Sequence, residues 1–134
     1  MSVSLSKFIG IPYKKYGRDF DGCDCYGLVY LFYKYMLNID LPLFTNEYNH
    51  DDIVSISEAI MKNKFDWYQV KKPSFGDCIL FNLEGSNTHI GIFLEKDRFL
   101  HTTEFRKESC VERLNHPFWK TRIEGFYRYG KNNC

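Results

Sequence analysis

The chain has 134 residues, enough for one domain and short of what two need. Lysine and arginine (18) nearly balance aspartate and glutamate (17), so no basic excess exists to hold a nucleic-acid backbone or an anionic lipid surface. A content of 44% hydrophobic and 18% aromatic residues excludes a disordered chain.

The amino-terminal MSVSLSKFIGIPYKKYG lacks a long apolar core and a small-residue cleavage site. The expectation is therefore synthesis in the cytoplasm without a signal peptide. No apolar run reaches the ~20 residues that span a bilayer, so no membrane insertion is expected. Five cysteines (Cys23, Cys25, Cys78, Cys110 and Cys134) form an odd set, which with a cytoplasmic origin argues for free thiols.

Residues 1–22 mix glycine, proline, tyrosine and charge without a sustained period and read as an irregular arm. A helix begins at DCYGLVYLFYKYML. Asp24 is its natural N-cap, and Leu28, Val29, Leu31, Phe32, Tyr35 and Met36 give it apolar residues on nearly every face. Such a helix should be buried. NIDLPLF ends it at the X-Pro break before Pro42, and a second helix is expected from Asp51 to about Lys62. Beyond KKPSFGD the texture becomes β-rich. CILFN and HIGIFLE suit half-buried strands, and DRFLHTT follows a tight turn at Lys96–Asp97, which predicts a hairpin. A last strand is expected in IEGFYRYG. The run EFRKESCVER reads as a solvated face. The fold class is α+β, a helical front half packed on an antiparallel sheet, with residues 1–134 as one domain.

Cys25 occupies the first turn of the buried helix. A helix amino terminus favours thiolate over thiol and offers free backbone N–H groups to a developing oxyanion. Gly27, two residues on, permits close approach of backbone or substrate. For an arbitrary cysteine a small core residue is the commoner role. His89 opens the strand HIGIFLE after the polar EGSNT, and imidazole is the side chain suited to proton transfer near neutrality, although a lone histidine is more often structural. If the hairpin forms, its far ends bring His89 and His101 within hydrogen-bonding range, so that one imidazole orients the other.

These segments together resemble a known family. GCDCYGLVYLFY is similar to the helix start of the NlpC-type cell-wall cysteine peptidases, which are papain-like; PSFGDCILF resembles their Pro-x-x-Gly-Asp strand entry, and HIGIFLEKDRFLHTT their His-Val-Gly-Ile-Tyr strand with its following polar residue. The resemblance runs from about Gly10 to Phe126. It implies Cys25 as nucleophile, His89 as base and His101 as the residue orienting the base. It also implies Tyr13 as a cleft-lining substrate binder and Asp24 as a cap or a binder of a substrate amine. Tyr26, implied as a third substrate-binding residue, stands where the family usually has serine and so bears on substrate specificity; an aromatic there is a feature of members from bacteriophage tails and prophages, which GRDFDGCDCYG resembles. The implied activity is hydrolysis of amide bonds in peptidoglycan stem peptides, commonly between D-γ-glutamyl and a diamino acid, without a cofactor or metal. The implied setting is a phage tail, virion or the cell wall, with tail proteins as partners.

Three other readings compete. A zinc module could use Cys23, Cys25, Cys78, Cys110 and the histidines, but C-x-C is tighter than the usual C-x₂₋₄-C and no second pair answers it. The fold could serve as a non-catalytic part of a phage tail. The same Cys–His chemistry could also run another acyl transfer.

Overall fold

In the computed structural model, residues 4–43, 67–83 and 86–130 are described, with the backbone alone at 86–88. The expected second helix, from Asp51 to Lys62, lies outside them.

The buried helix α1 spans Cys25–Phe32 and starts as its sequence dictates. Asp24 is extended at the N-cap (φ −93°, ψ −172°) and its carboxylate accepts the Gly27 N–H at 2.8 Å. Seven of the eight residues are buried, which is why apolar side chains appear on nearly every face. A π-turn over Tyr33–Leu37 continues α1 and ends at Asn38, whose left-handed backbone (φ 62°) stops the helix before Pro42. Ahead of α1, the arm is more ordered than its composition suggests. Leu5–Phe8 make a 3₁₀ turn, and β1 (Arg18–Asp19) pairs with β2 (Gly22–Cys23) as a small hairpin.

Among the described residues one antiparallel sheet runs in the order β3-β8-β4-β5-β6-β7. Its strands are β3 (Trp67–Val70), β4 (Cys78–Leu83), β5 (Ser86–Phe93), β6 (Arg98–His101), β7 (Cys110–Arg113) and β8 (Ile123–Tyr129). The β5–β6 hairpin closes at the expected place: Lys96 supplies the positive φ (56°), and Ile92 and Phe93 face Leu100 and Phe99. Two strands of this sheet, β3 and β7, were not expected from the sequence. EFRKESCVER is not a uniformly solvated face, because Cys110–Arg113 pair with Arg98–His101 and Ser109 is buried. The arm lies along the run into this strand. Ile11 N–H bonds Ser109 Oγ at 2.9 Å, Ser109 Oγ donates to the Phe8 carbonyl at 2.6 Å, and Tyr13 N–H reaches the Lys107 carbonyl at 2.8 Å.

Strand alternation gives the sheet two apolar faces. Leu80, Ile90, Ile92 and Leu100 pack with Leu28, Val29, Leu31 and Phe32 of α1. Ile79, Phe81, Phe93 and Phe99 form the other face with Leu114 and Trp119, the latter carried on the single-turn helix Pro117–Lys120. Helix on one face of an antiparallel sheet is the α+β arrangement expected.

Candidate active site

The nucleophile candidate is fixed by its cap. Asp24 Oδ1 accepts the Gly27 N–H and the Arg18 guanidinium (2.9 Å), while Oδ2 accepts the Tyr16 N–H (3.0 Å). This buried carboxylate is therefore taken up inside the protein, joining the β1–β2 hairpin to the first turn of α1. Gly27 is needed for the same junction. A Cβ there would stand 2.0 Å from the Gly17 carbonyl oxygen, so the close approach its position permits is by the arm's own backbone.

Cys25 is 7% exposed, and its sulfur is favoured as thiolate by the backbone amides of Ile90 and Tyr26. The expected acidification of this thiol does not occur. Burial, followed by the neighbouring Asp24 charge, pushes it up to about 12, outweighing the amides and Arg18. A helix terminus is visible in a sequence, whereas the depth at which it is buried is not.

Ile90 follows His89, so the strand that meets the thiol also carries the base candidate. His89 does not open that strand. Ser86, Asn87 and Thr88 precede it, because β4 continues far enough to pair with them. The register slips by one residue between Phe81↔His89 and Asn82↔Asn87, a β-bulge of the kind that re-aims a side chain next to a site. His89 and His101 meet as the hairpin requires, Nε2 to Nδ1 at 2.9 Å. Trp119 stacks on His89 at 5.6 Å and meets His101 edge-on at 4.8 Å, and Phe81 and Phe99 complete the wall. Burial, then His101, drives the His89 pKa well below its ordinary 6.5, and burial also lowers that of His101 despite an adjacent carboxylate. Thiol and imidazoles are thus neutral at rest.

That adjacent carboxylate is Glu112. Its Oε2 lies 2.6 Å from His101 Nε2 and its Oε1 takes the Arg106 guanidinium at 2.7 Å. The hydrogen bond to His101 is the main reason its pKa falls to about 2. Sequence reasoning missed Glu112, and the signal that could have found it is the alternation S-C-V-E directly after the hairpin.

Tyr13 is half-buried on the arm, bridged to Cys23, and near enough to Cys25 that an ionised sulfur there raises its hydroxyl pKa further, after burial. Tyr26 points elsewhere: its hydroxyl donates to the Pro42 carbonyl at 2.6 Å and its ring lies under Arg18. Among the other cysteines, Cys23 and Cys78 are buried, and Cys78 Sγ is 3.7 Å from the Tyr33 hydroxyl. No helix among the described residues is long and apolar enough to cross a membrane.

A thiol with two amides at its sulfur meets the strand that carries a chain of two imidazoles and a carboxylate, and these are the groups that proton transfer coupled to sulfur attack requires. Similar proteins share the frame. The chain is 29% identical over 128 residues to the murein DD-endopeptidase MepH of Escherichia coli, covering 92% of this chain and 43% of that one. It is 25% identical over 113 residues to the Escherichia coli murein DD-endopeptidase MepS/murein LD-carboxypeptidase, covering 84% and 53%, and 26% identical over 126 residues to the gamma-DL-glutamyl hydrolase of Bacillus subtilis, covering 92% and 27%. The chain thus spans about half, or less, of the length of these curated relatives. The NlpC/p60 domain of the peptidoglycan hydrolase SagA superposes with a TM-score of 0.62 at 20% identity, covering 92% of this chain and 91% of that one. NlpC2 from Trichomonas vaginalis superposes with a TM-score of 0.65 at 19% identity, covering 92% and 44%. The NlpC/P60 family model matches residues 10–128, the arm, α1 and the sheet together, and this chain belongs to the NlpC/P60 family.

Proposed function

We propose that this protein is a cysteine peptidase that hydrolyses amide bonds in the stem peptides of peptidoglycan. The observation that carries the reading is the meeting of the Cys25 sulfur with the Ile90 amide, one residue along β5 from a His89 already hydrogen-bonded to His101. The names of the relatives, two murein endopeptidases and a γ-glutamyl hydrolase, support the substrate class.

In this reading the reaction begins from the neutral pair. His89 takes the proton as Cys25 attacks the carbonyl carbon, and the sulfur becomes an anion only as it forms its bond, which suits a thiol whose resting ionisation is opposed by burial. The Cys25 backbone N–H, in the first turn of α1 where amides have no intrahelical acceptor, receives the oxyanion. His89 then gives its proton to the leaving amine; water, deprotonated by His89, attacks the thioester carbonyl, the C–S bond breaks to release the acid, and His89 returns the proton to the Cys25 sulfur. His101 orients His89 throughout. Tyr13 lines the cleft beside the sulfur; Asp24 and Tyr26 act through the helix start that they hold in place. The bond proposed is that between D-γ-glutamyl and a diamino acid. Association with a phage tail or virion rests on the resemblance of GRDFDGCDCYG to phage-borne members. The test is digestion of defined muropeptides with mass analysis of the products, beside Cys25→Ala. New termini at the D-γ-glutamyl bond, absent with the variant, support the proposal; products at the D,D cross-link would move the bond, and cleavage by Cys25→Ala would end it.

A further inference from the structure

His101 has a partner at each ring nitrogen, and together the partners determine where its proton sits. Nδ1 faces His89 Nε2 at 2.9 Å; Nε2 faces Glu112 Oε2 at 2.6 Å. A neutral imidazole has one N–H and one lone pair, and an ionised carboxylate only accepts. Glu112 is held ionised by geometry, its second oxygen receiving the Arg106 guanidinium at 2.7 Å. His101 Nε2 must therefore carry the hydrogen, which leaves Nδ1 as an acceptor. His89 must then donate from Nε2, and its own lone pair is at Nδ1. With Glu112 protonated or absent the order can reverse, and His89 would present an N–H where a base is needed.

We infer that Glu112 is a positioning residue that sets the tautomers of His101 and, through it, His89, so that His89 offers its lone pair at Nδ1. The inference deepens the proposed hydrolase reading and rests on it for the use made of that lone pair. When Nδ1 takes the Cys25 proton, His89 becomes an imidazolium whose Nε2–H stays directed at His101. The negative charge of Glu112 faces the far side of the same pair of rings. Glu112 takes no proton. The register of β6 and β7 builds the chain: His101 faces Cys110 and Phe99 faces Glu112, so His101 and Glu112 lie diagonally on one face of the sheet.

Cys110 gives the control. Its Sγ is 3.9 Å from Glu112 Oε2, and His101, Cys110 and Glu112 bring their ligand atoms within 4.8 Å of one another, a set that could instead hold a metal ion. No step above uses the Cys110 sulfur.

The experiment is a long-range ¹H–¹⁵N spectrum of the imidazoles in the full chain at neutral pH, with hydrolysis rates on a stem-peptide substrate. In the wild type His89 and His101 should both carry hydrogen at Nε2 and none at Nδ1. Glu112→Ala should give mixed tautomers and lower kcat about 10²-fold with KM unchanged, the size expected when a base is misdirected. Glu112→Gln, whose amide oxygen can still accept from Nε2, should recover at least a tenth of the wild-type rate. Cys110→Ala should match the wild type in both readouts. A wild-type spectrum with hydrogen on Nδ1 of either ring overturns the inference, as does a Glu112→Ala spectrum identical to the wild type. A loss in Cys110→Ala equal to that in Glu112→Ala also overturns it, in favour of a metal. The spectra need no turnover, so an inactive protein with the stated tautomers would count against the hydrolase reading alone.

Discussion

Gly27→Ala opposes two effects whose sizes can be compared. In an exposed helix interior alanine is better than glycine by about 0.5–1 kcal/mol, because glycine loses more backbone freedom on folding. Here the added Cβ would lie 2.0 Å from the Gly17 carbonyl oxygen, 3.0 Å from Cys23 Cβ and 3.1 Å from Arg18 Nη1. The Gly17 backbone would have to retreat by more than an ångström. It cannot do so alone, since Arg18 is bonded to both the Gly17 carbonyl and the Asp24 carboxylate that caps α1. Overpacking of a rigid contact costs about 1–3 kcal/mol, and partial loss of the cap adds about 1 kcal/mol. The net expectation is a loss of about 2–3 kcal/mol, which lowers Tm by about 6–12 °C in a domain of this size. Thermal and urea unfolding followed by circular dichroism would measure it. A Gly27→Ala protein as stable as the wild type, or more stable, would refute the claim that the arm's backbone occupies the space over α1.

Stability should also depend on pH in two separable windows. His89 and His101 have folded pKa values below the ordinary 6.5, so their contribution is complete above pH 6.5 and lost as pH falls through it, whereas Glu112, held at about 2, begins to lose its share only below its ordinary 4.5. Tm should therefore already drop between pH 7 and 5, and His89→Gln should shrink that drop; a flat Tm over this range contradicts buried neutral imidazoles. On the alkaline side Cys25 and Cys78, both pushed up to about 12 from 9, should destabilise the fold as pH rises above 9, an effect reduced in Cys78→Ala relative to its own neutral-pH stability. Ser109→Ala should cost about 1–3 kcal/mol in urea unfolding, because it leaves the Phe8 carbonyl and Ile11 N–H without their buried partner. An unchanged midpoint would mean that the arm is not held there.

The helix start and the hairpin were legible because their signals are local. Asp24 before an apolar run marks the cap of α1, and Lys96–Asp97 between alternating segments marks the turn that joins the two histidines. What escaped depends on partners distant in sequence. β3 pairs with β8 across some sixty residues, so Trp67–Val70 gives no sign of its neighbour. β7 sits half-exposed at the sheet edge, and its charges resemble those of a loop although Glu112 is bonded to His101. Thiol acidity failed for a different reason. The helix terminus was correctly located, but the balance between its amides and burial is decided by packing.

In the proposed reaction the sulfur of Cys25 reacts with the help of His89, and inactivation by a stem-peptide chloromethyl ketone, followed by peptide mapping, tests this pairing. One modification is expected, at Cys25, rising in step with loss of hydrolysis and slowing at least tenfold in His89→Ala. Full hydrolysis by a protein completely alkylated at Cys25, or equal labelling rates with and without His89, would contradict it.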